Sequence, residues 1–160
     1  EEKIKWMTRL LTKANLVGKR GEVPIAAIIL DKRGRCIGYG GNRREAMKDP
    51  LGHAELVALR QASWINHDWR FNDCTLMVNL EPCPMCAGAL IQARMGKIIF
   101  ASDDPKRGAL GGTINLAEHK SAHHKMIIER GLMEEESRKI IVDWFKDKRF
   151  VAKNLLSKLR

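Results

Sequence analysis

The stretch that most constrains this chain is Asn79-Leu80-Glu81-Pro82-Cys83-Pro84-Met85-Cys86, read together with His53-Ala54-Glu55 thirty positions before Cys83. Cys83 and Cys86 stand at i and i+3. A helix starting at Pro82 or Cys83 projects both sulfurs from its first turn on one face. There the free backbone N–H groups and the positive end of the helix dipole favour thiolate over thiol. Two thiolates at this spacing can clamp one soft or borderline metal ion, and His53 offers a third ligand. Three protein ligands leave a tetrahedral zinc with one open corner, the arrangement of a catalytic rather than a structural site.

Glu55 follows His53 by two positions, and residues i and i+2 point roughly 200° apart around a helix. It is therefore free to address a water at the metal, taking a proton from it and handing that proton to a substrate nitrogen. A lone Cys-x-x-Cys also occurs in structural zinc knuckles and in redox motifs. A structural zinc needs four protein ligands, however, and no second such pair exists; Cys36 and Cys74 lie in separate apolar segments. A thioredoxin-like pair has no use for His-Ala-Glu at a helix start.

At 160 residues the chain fits one domain, 1–160, with room for a substantial core. Lys and Arg number 29 against 19 Asp and Glu, a net charge of +10. That balance points to polyanions, nucleic acid first and an anionic membrane surface second. The four cysteines do not read as a disulfide framework, because two are committed to metal. No apolar run approaches the roughly 18 residues of a membrane span, and Glu1-Glu2-Lys3-Ile4-Lys5 does not read as a signal peptide. The expectation is a soluble protein of a reducing compartment, the cytoplasm.

Periodicity sets the elements. Ile4, Met7, Leu11 and Ala14 recur at helical spacing, so 3–18 reads as an amphipathic helix. Ile25–Leu30 is a continuous apolar run typical of a central strand, and Arg35–Gly40 returns from the Asp31–Gly34 turn as a hairpin partner. A long loop leads to a helix over 53–65. Thr75–Leu80 is a strand delivering the chain into Pro82-Cys83, whose helix stops at Gly96. Lys97–Ala101 and Lys125–Glu129 read as strands, and Glu134 to about Leu156 as a long last helix, basic towards its end. The order α-β-β-α-β-α-β-β-α argues for an α/β/α architecture, a five-stranded mixed sheet with helices on both faces.

On these motifs the chain resembles the bacterial-type tRNA adenosine deaminases, within the larger cytidine deaminase-like superfamily. His-x-Glu followed by Pro-Cys-x-x-Cys is the pattern of the zinc deaminases. Gly21-Glu22-Val23-Pro24-Ile25, Gly41-Asn42-Arg43 and Ser102-Asp103-Asp104-Pro105-Lys106-Arg107-Gly108-Ala109 complete the likeness, which runs from about Gly21 to Phe145. The resemblance implies hydrolysis of adenosine to inosine at the wobble position of a tRNA anticodon, by a homodimer holding one zinc per chain. His53, Cys83 and Cys86 are then the zinc ligands. Activated water adds to C6 of the adenine, Glu55 protonates N1, ammonia leaves, and the backbone N–H of Cys83 steadies the attacking oxygen. Asn42 would bind the nucleotide and the Val23-Pro24 turn would wall the pocket. Asp103, Asp104 and Lys106 would meet flanking anticodon nucleotides, with Lys148 and Arg149 on the phosphate backbone.

Four places depart from the family pattern: Ala27, Asn79, Gly52 and Leu110-Gly111-Gly112-Thr113. Of these, Asn79 is the one expected to alter the pocket lining. Outside the family, Asn42 after Gly-Gly is ordinary turn chemistry. His119, His123 and His124 lack a fixed ligand spacing and read as solvated or loop-capping. Ile140, Ile141, Trp144, Phe145, Val151 and Leu155 form a helical stripe, a core or dimer face rather than a base-stacking platform. The basic tail from Lys146 to Arg160 reads as a solvated face or as a phosphate contact. Two other functions compete: deamination of a free base such as guanine or cytosine, and a non-catalytic RNA-binding subunit that keeps zinc for folding. The first has no need of the basic last helix, the second none of Glu55.

Overall fold

A computed structural model describes residues 1–159; Arg160, counted above in the basic tail, lies outside them. The elements run α1 (Glu2–Lys19), β1 (Ala26–Leu30), β2 (Cys36–Gly41), α2 (Ala54–Asn66), β3 (Thr75–Leu80), α3 (Pro84–Gln92), β4 (Lys97–Ser102), a short 3₁₀ turn (Leu116–Glu118), β5 (Ile127–Arg130) and α4 (Glu134–Lys158). Every element read from periodicity is present. The 3₁₀ turn was not anticipated, and β5 begins two residues later than its apolar run suggested.

The sheet order is β2-β1-β3-β4-β5. β1 pairs antiparallel with both β2 and β3, whereas β3–β4 and β4–β5 are parallel. β1 alone therefore runs against the other four strands, and pairing changes from antiparallel to parallel at the central strand, β3. The C-terminal ends of β2, β3, β4 and β5 and the N-terminal end of β1 all lie along one edge. In open α/β sheets ligands bind where the C-terminal strand ends meet a change of topology. Val23-Pro24, Asn42, Cys83 and Asp103 all belong to the chain entering or leaving that edge.

Period-two alternation splits the core between the two faces. Ala27, Ile29, Leu76, Val78, Ile98 and Phe100 face α2 and α3. Ala26, Ile28, Leu30, Met77, Ile99 and Ala101 face α1 and the start of α4. α1 contributes Met7, Leu10, Leu11 and Ala14. Each large side chain so buried is worth about 1.5–3 kcal/mol, far above the tenths that separate helix propensities, so burial holds this helix in place. On the other face α2 lies very close to β2, because a Cβ on Gly38 or Gly40 would strike Ala58 or Val57 of the helix.

On α4 the apolar stripe is covered only at its start. Ser137 is buried and Ile140 packs on the α1 side of the core, while the Trp144 indole N–H donates to the Gly18 carbonyl at 2.9 Å. Beyond Trp144 the stripe loses its cover, and Val151 and Leu155 are 54% and 59% exposed. The apolar spacing was real, but the sheet ends before the helix does.

The Asn79 side chain is fully buried and reaches the Val23-Pro24 turn from within the core. Its Oδ1 accepts the Ala26 N–H at 2.8 Å, and its Nδ2 donates to the Pro24 carbonyl at 3.0 Å and to Ser137 Oγ at 3.3 Å. The Ser137 hydroxyl donates in turn to the Asn79 carbonyl at 2.6 Å. One amide thus ties the start of β1 to the end of β3 and to α4. Asn79→Ala leaves the Ala26 N–H and the Pro24 carbonyl unpaired, and urea unfolding should register a loss of about 2–4 kcal/mol. A loss under about 1 kcal/mol would contradict that bridging role.

Candidate metal centre and its surrounding loops

His53 is the N-cap of α2 and Cys83 the N-cap of α3, both with extended backbone (φ −83°, ψ 145° and φ −73°, ψ 173°). Pro84 takes the first helical position, where its missing N–H is harmless. The helix therefore starts one or two residues later than the sequence suggested. N-cap side chains usually bond the helix's own N–H groups. Neither of these does, which leaves both free to face one another.

His53 Nδ1 lies 3.6 Å from Cys83 Sγ and 3.6 Å from Cys86 Sγ, and the three donor atoms fall within 4.8 Å of one another. A tetrahedral centre with metal–sulfur bonds of about 2.3 Å and metal–nitrogen bonds of about 2.0–2.1 Å separates S from N by about 3.6 Å. The donor set fits such an ion in both chemistry and spacing.

Proton accounting supports the same reading. The Cys83 thiol is drawn down to about 4, first by the hydrogen bond from Cys86 and then, against burial, by His53. Cys86 is pushed upward by that shared hydrogen bond, by burial and by nearby Glu55. His53 is raised, chiefly by its hydrogen bond with Cys83. The pair thus keeps one proton between its sulfurs unless a cation replaces it. A bound divalent ion supplies the charge that makes both thiolates stable.

Glu55, the second residue of α2, is 4% exposed, and burial pushes its carboxyl up to about 6. It is buried beside Cys86 and His53, poised between its two protonation states near neutral pH.

Three loops frame this centre. Asn42 Oδ1 accepts the Ala54 N–H at 2.9 Å, satisfying one of the free donors at the start of α2. Its Nδ2 makes no hydrogen bond among the described residues. Glu22, buried, accepts the N–H groups of Glu45 and Ala46 at 3.0 and 2.8 Å and pins the loop after β2. Glu81, also buried, performs a similar service for the loop after β4. Sequence reasoning quoted Glu22 and Glu81 inside motifs and gave neither a role. For Glu81, alone between Leu80 and Pro82-Cys83, isolation among apolar residues was the available signal; Glu22 follows Lys19-Arg20-Gly21 and carries none.

The other candidates spread outward. Asp103 pairs with Arg130 at 3.5 Å. Asp104 Oδ1 accepts the N–H groups of Lys106 and Arg107, so part of that carboxylate shapes its own turn. Lys106 is exposed. Val23 is half-buried, and Pro24 is buried and lines a cleft of about 460 Å³ between α1 and α4 together with Lys19, Trp144 and Lys148. Lys148 Nζ sits 5.3 Å from the centre of the Trp144 ring, and Arg149 is exposed one residue on. His119 bonds Ser121, and His124 Nε2 lies 2.8 Å from the Met95 carbonyl, the loop-capping roles expected.

A model of the MafB19-like deaminase family matches residues 1–158. The chain is 34% identical over 154 residues to a tRNA-specific adenosine deaminase of Bacillus subtilis, covering 94% of this chain and 95% of that one. A solved structure from a study of A-to-I editing by tRNA:A34 deaminases at the wobble position of transfer RNA superposes with a TM-score of 0.81. It is 36% identical and covers 84% of this chain and 96% of its own. A guanine deaminase from Nitrosomonas europaea reaches a TM-score of 0.72 at 20% identity, covering 86% of this chain and 81% of that one, a likeness of fold alone. The chain belongs to the tRNA-specific adenosine deaminase family.

The raised Glu55 carboxyl has a measurable cost. The folded protein binds the proton more tightly than the unfolded chain between the ordinary 4.5 and about 6, so its stability falls as pH rises through that window. In metal-stripped protein, Glu55→Gln should remove about 2 kcal/mol of this pH-dependent loss between about pH 4.5 and pH 7.5. Parallel stability profiles for wild type and variant would contradict the burial argument.

Proposed function

We propose that this chain hydrolyses adenosine to inosine at the wobble position of a tRNA anticodon, as a cytoplasmic homodimer with one zinc per chain. The observation carrying this reading is the convergence of His53, Cys83 and Cys86 with a buried carboxylate, Glu55, beside them. Zinc held by those three side chains would bring the pKa of a water to about 7 and supply it as the nucleophile. Glu55 moves the protons: it takes one from that water, delivers it to N1 of the adenine, and assists ammonia in leaving. The Cys83 N–H, at the start of α3, stands among donors suited to a developing negative oxygen.

The Asn42 side chain spends its oxygen on Ala54 and presents its NH₂ group, a donor suited to an acceptor on the nucleotide. Val23 then walls the pocket, while Pro24 fixes the turn from behind. Asp103, the free oxygen of Asp104 and Lys106 meet the neighbouring nucleotides. Lys148 and Arg149 sit on α4, which is basic from Lys146 onward and suits phosphate contact. For the second copy we assign the groove between α2 and α3, where Trp64 and Trp69 stand 78% and 53% exposed. Among the described residues, no helix is long and apolar enough to cross a membrane.

A free-base substrate would make no use of the basic helix, which favours RNA. An anticodon stem-loop bearing a wobble adenosine, scored for inosine, tests the reading. Glu55→Ala should cut turnover by at least about a hundredfold while zinc and RNA remain bound. Undiminished deamination would overturn the mechanism. Replacing Lys148 and Arg149 together with Ala should weaken RNA binding and reduce the slope of log affinity against log salt by about 2, with zinc still bound. An unchanged slope would remove both from the interface.

A further inference from the structure

Glu81 is 2% exposed, yet the partners of its carboxylate are backbone N–H groups rather than a cation. Oε1 accepts from Asp104 at 3.1 Å, and Oε2 accepts from Leu110 at 2.9 Å and from Gly112 at 2.8 Å. The loop wraps closely around this side chain, for a Cβ on Gly108 or Gly112 would run into the carboxylate. Two backbone bonds fasten the same place from either side: Glu81 N–H to the Ser102 carbonyl and Ala109 N–H to the Pro82 carbonyl, each at 2.9 Å. From outside, the Arg130 guanidinium donates to the Leu110 carbonyl and pairs with Asp103. Loop 103–112 therefore hangs on a residue two positions before Cys83.

A carboxylate is the side chain this arrangement needs. It offers acceptors on both oxygens and no donor, so three converging N–H groups can be satisfied at once. Glutamine is nearly the same size but turns two N–H donors towards those same groups.

We propose that Glu81 is a positioning residue for RNA recognition: by gathering the N–H groups of Asp104, Leu110 and Gly112, it fixes loop 103–112 relative to the metal helix. The side chains that meet nucleotides beside the target adenosine then stand at a set distance from the reacting centre. Misplacing them costs orientation of the RNA rather than the chemistry of the centre. This inference rests on the deaminase reading above and adds the element that couples the anticodon-contacting loop to the catalytic helix.

The test compares wild type, Glu81→Gln and Gly108→Ala, all zinc-loaded, on the anticodon stem-loop, together with hydrogen exchange at single amides. Both variants should raise KM about tenfold, with kcat within about threefold of wild type and zinc content unchanged. The Asp104, Leu110 and Gly112 amides should lose protection while the amides of β3 and β4 keep theirs. Gly108→Ala crowds the carboxylate without altering it, so it remains informative should Glu81→Gln fold poorly. An unchanged KM with those three amides still protected would overturn the proposal, as would a fall in kcat that merely follows zinc loss. Wild type inactive on the stem-loop would instead contradict the deaminase reading, and amide exchange would still decide whether Glu81 holds the loop.

Discussion

Two helices whose N-termini converge face an electrostatic difficulty, since each presents unsatisfied N–H groups and a partial positive charge. This fold brings α2 and α3 together in that way, with His53 and Cys83 as their N-caps. The difficulty is resolved by what stands there: a cysteine pair sharing one proton, drawn towards thiolate at Cys83, and a carboxyl that titrates near neutrality. A divalent cation held there would complete the balance by cancelling two thiolates, and under the proposed mechanism it would leave Glu55 to carry protons. The sheet makes the convergence unavoidable, because β2 and β3 run in the same direction and both end at the edge where their following segments lead into helices.

Around that centre one device recurs. Asn42, Glu22 and Glu81 each direct a side-chain oxygen inward and collect backbone N–H groups from another segment. The loops are thereby held chiefly by buried or half-buried acceptors, and surface ion pairs such as Asp103–Arg130 add only about 0–1 kcal/mol. Asn79 does the corresponding work below the site, joining β1, β3 and α4. A reaction that must hold a large, flexible RNA still gains from loops fixed in this way, because little ordering remains to be done on binding.

Much of this was legible in the sequence. Alternation in the strands and the i, i+3, i+4 stripe of α1 are local patterns, and the candidate metal ligands lie in two short motifs. What escaped notice depends on partners far along the chain. Asn79 meets Ser137, 58 positions away, and Glu81 meets Leu110, 29 positions away. Neither partnership leaves a trace in local spacing. The stripe of α4 is a related case, since periodicity marks an apolar face without saying where the surface covering it stops. Pro84, by contrast, could have fixed the start of α3, because proline favours the first helical position and Cys83 is then the cap.

The account stands or falls on the coordination of the bound ion. X-ray absorption at the zinc edge of the loaded protein measures this directly. It should find two sulfur neighbours at about 2.3 Å and two nitrogen or oxygen neighbours at about 2.0–2.1 Å. A companion spectrum of Glu55→Gln should be unchanged, since that side chain lies beside the ion and does not bind it. A third sulfur, or a shell that rearranges when Glu55 is replaced, would mean that protein groups close the site, and the catalytic reading would fail.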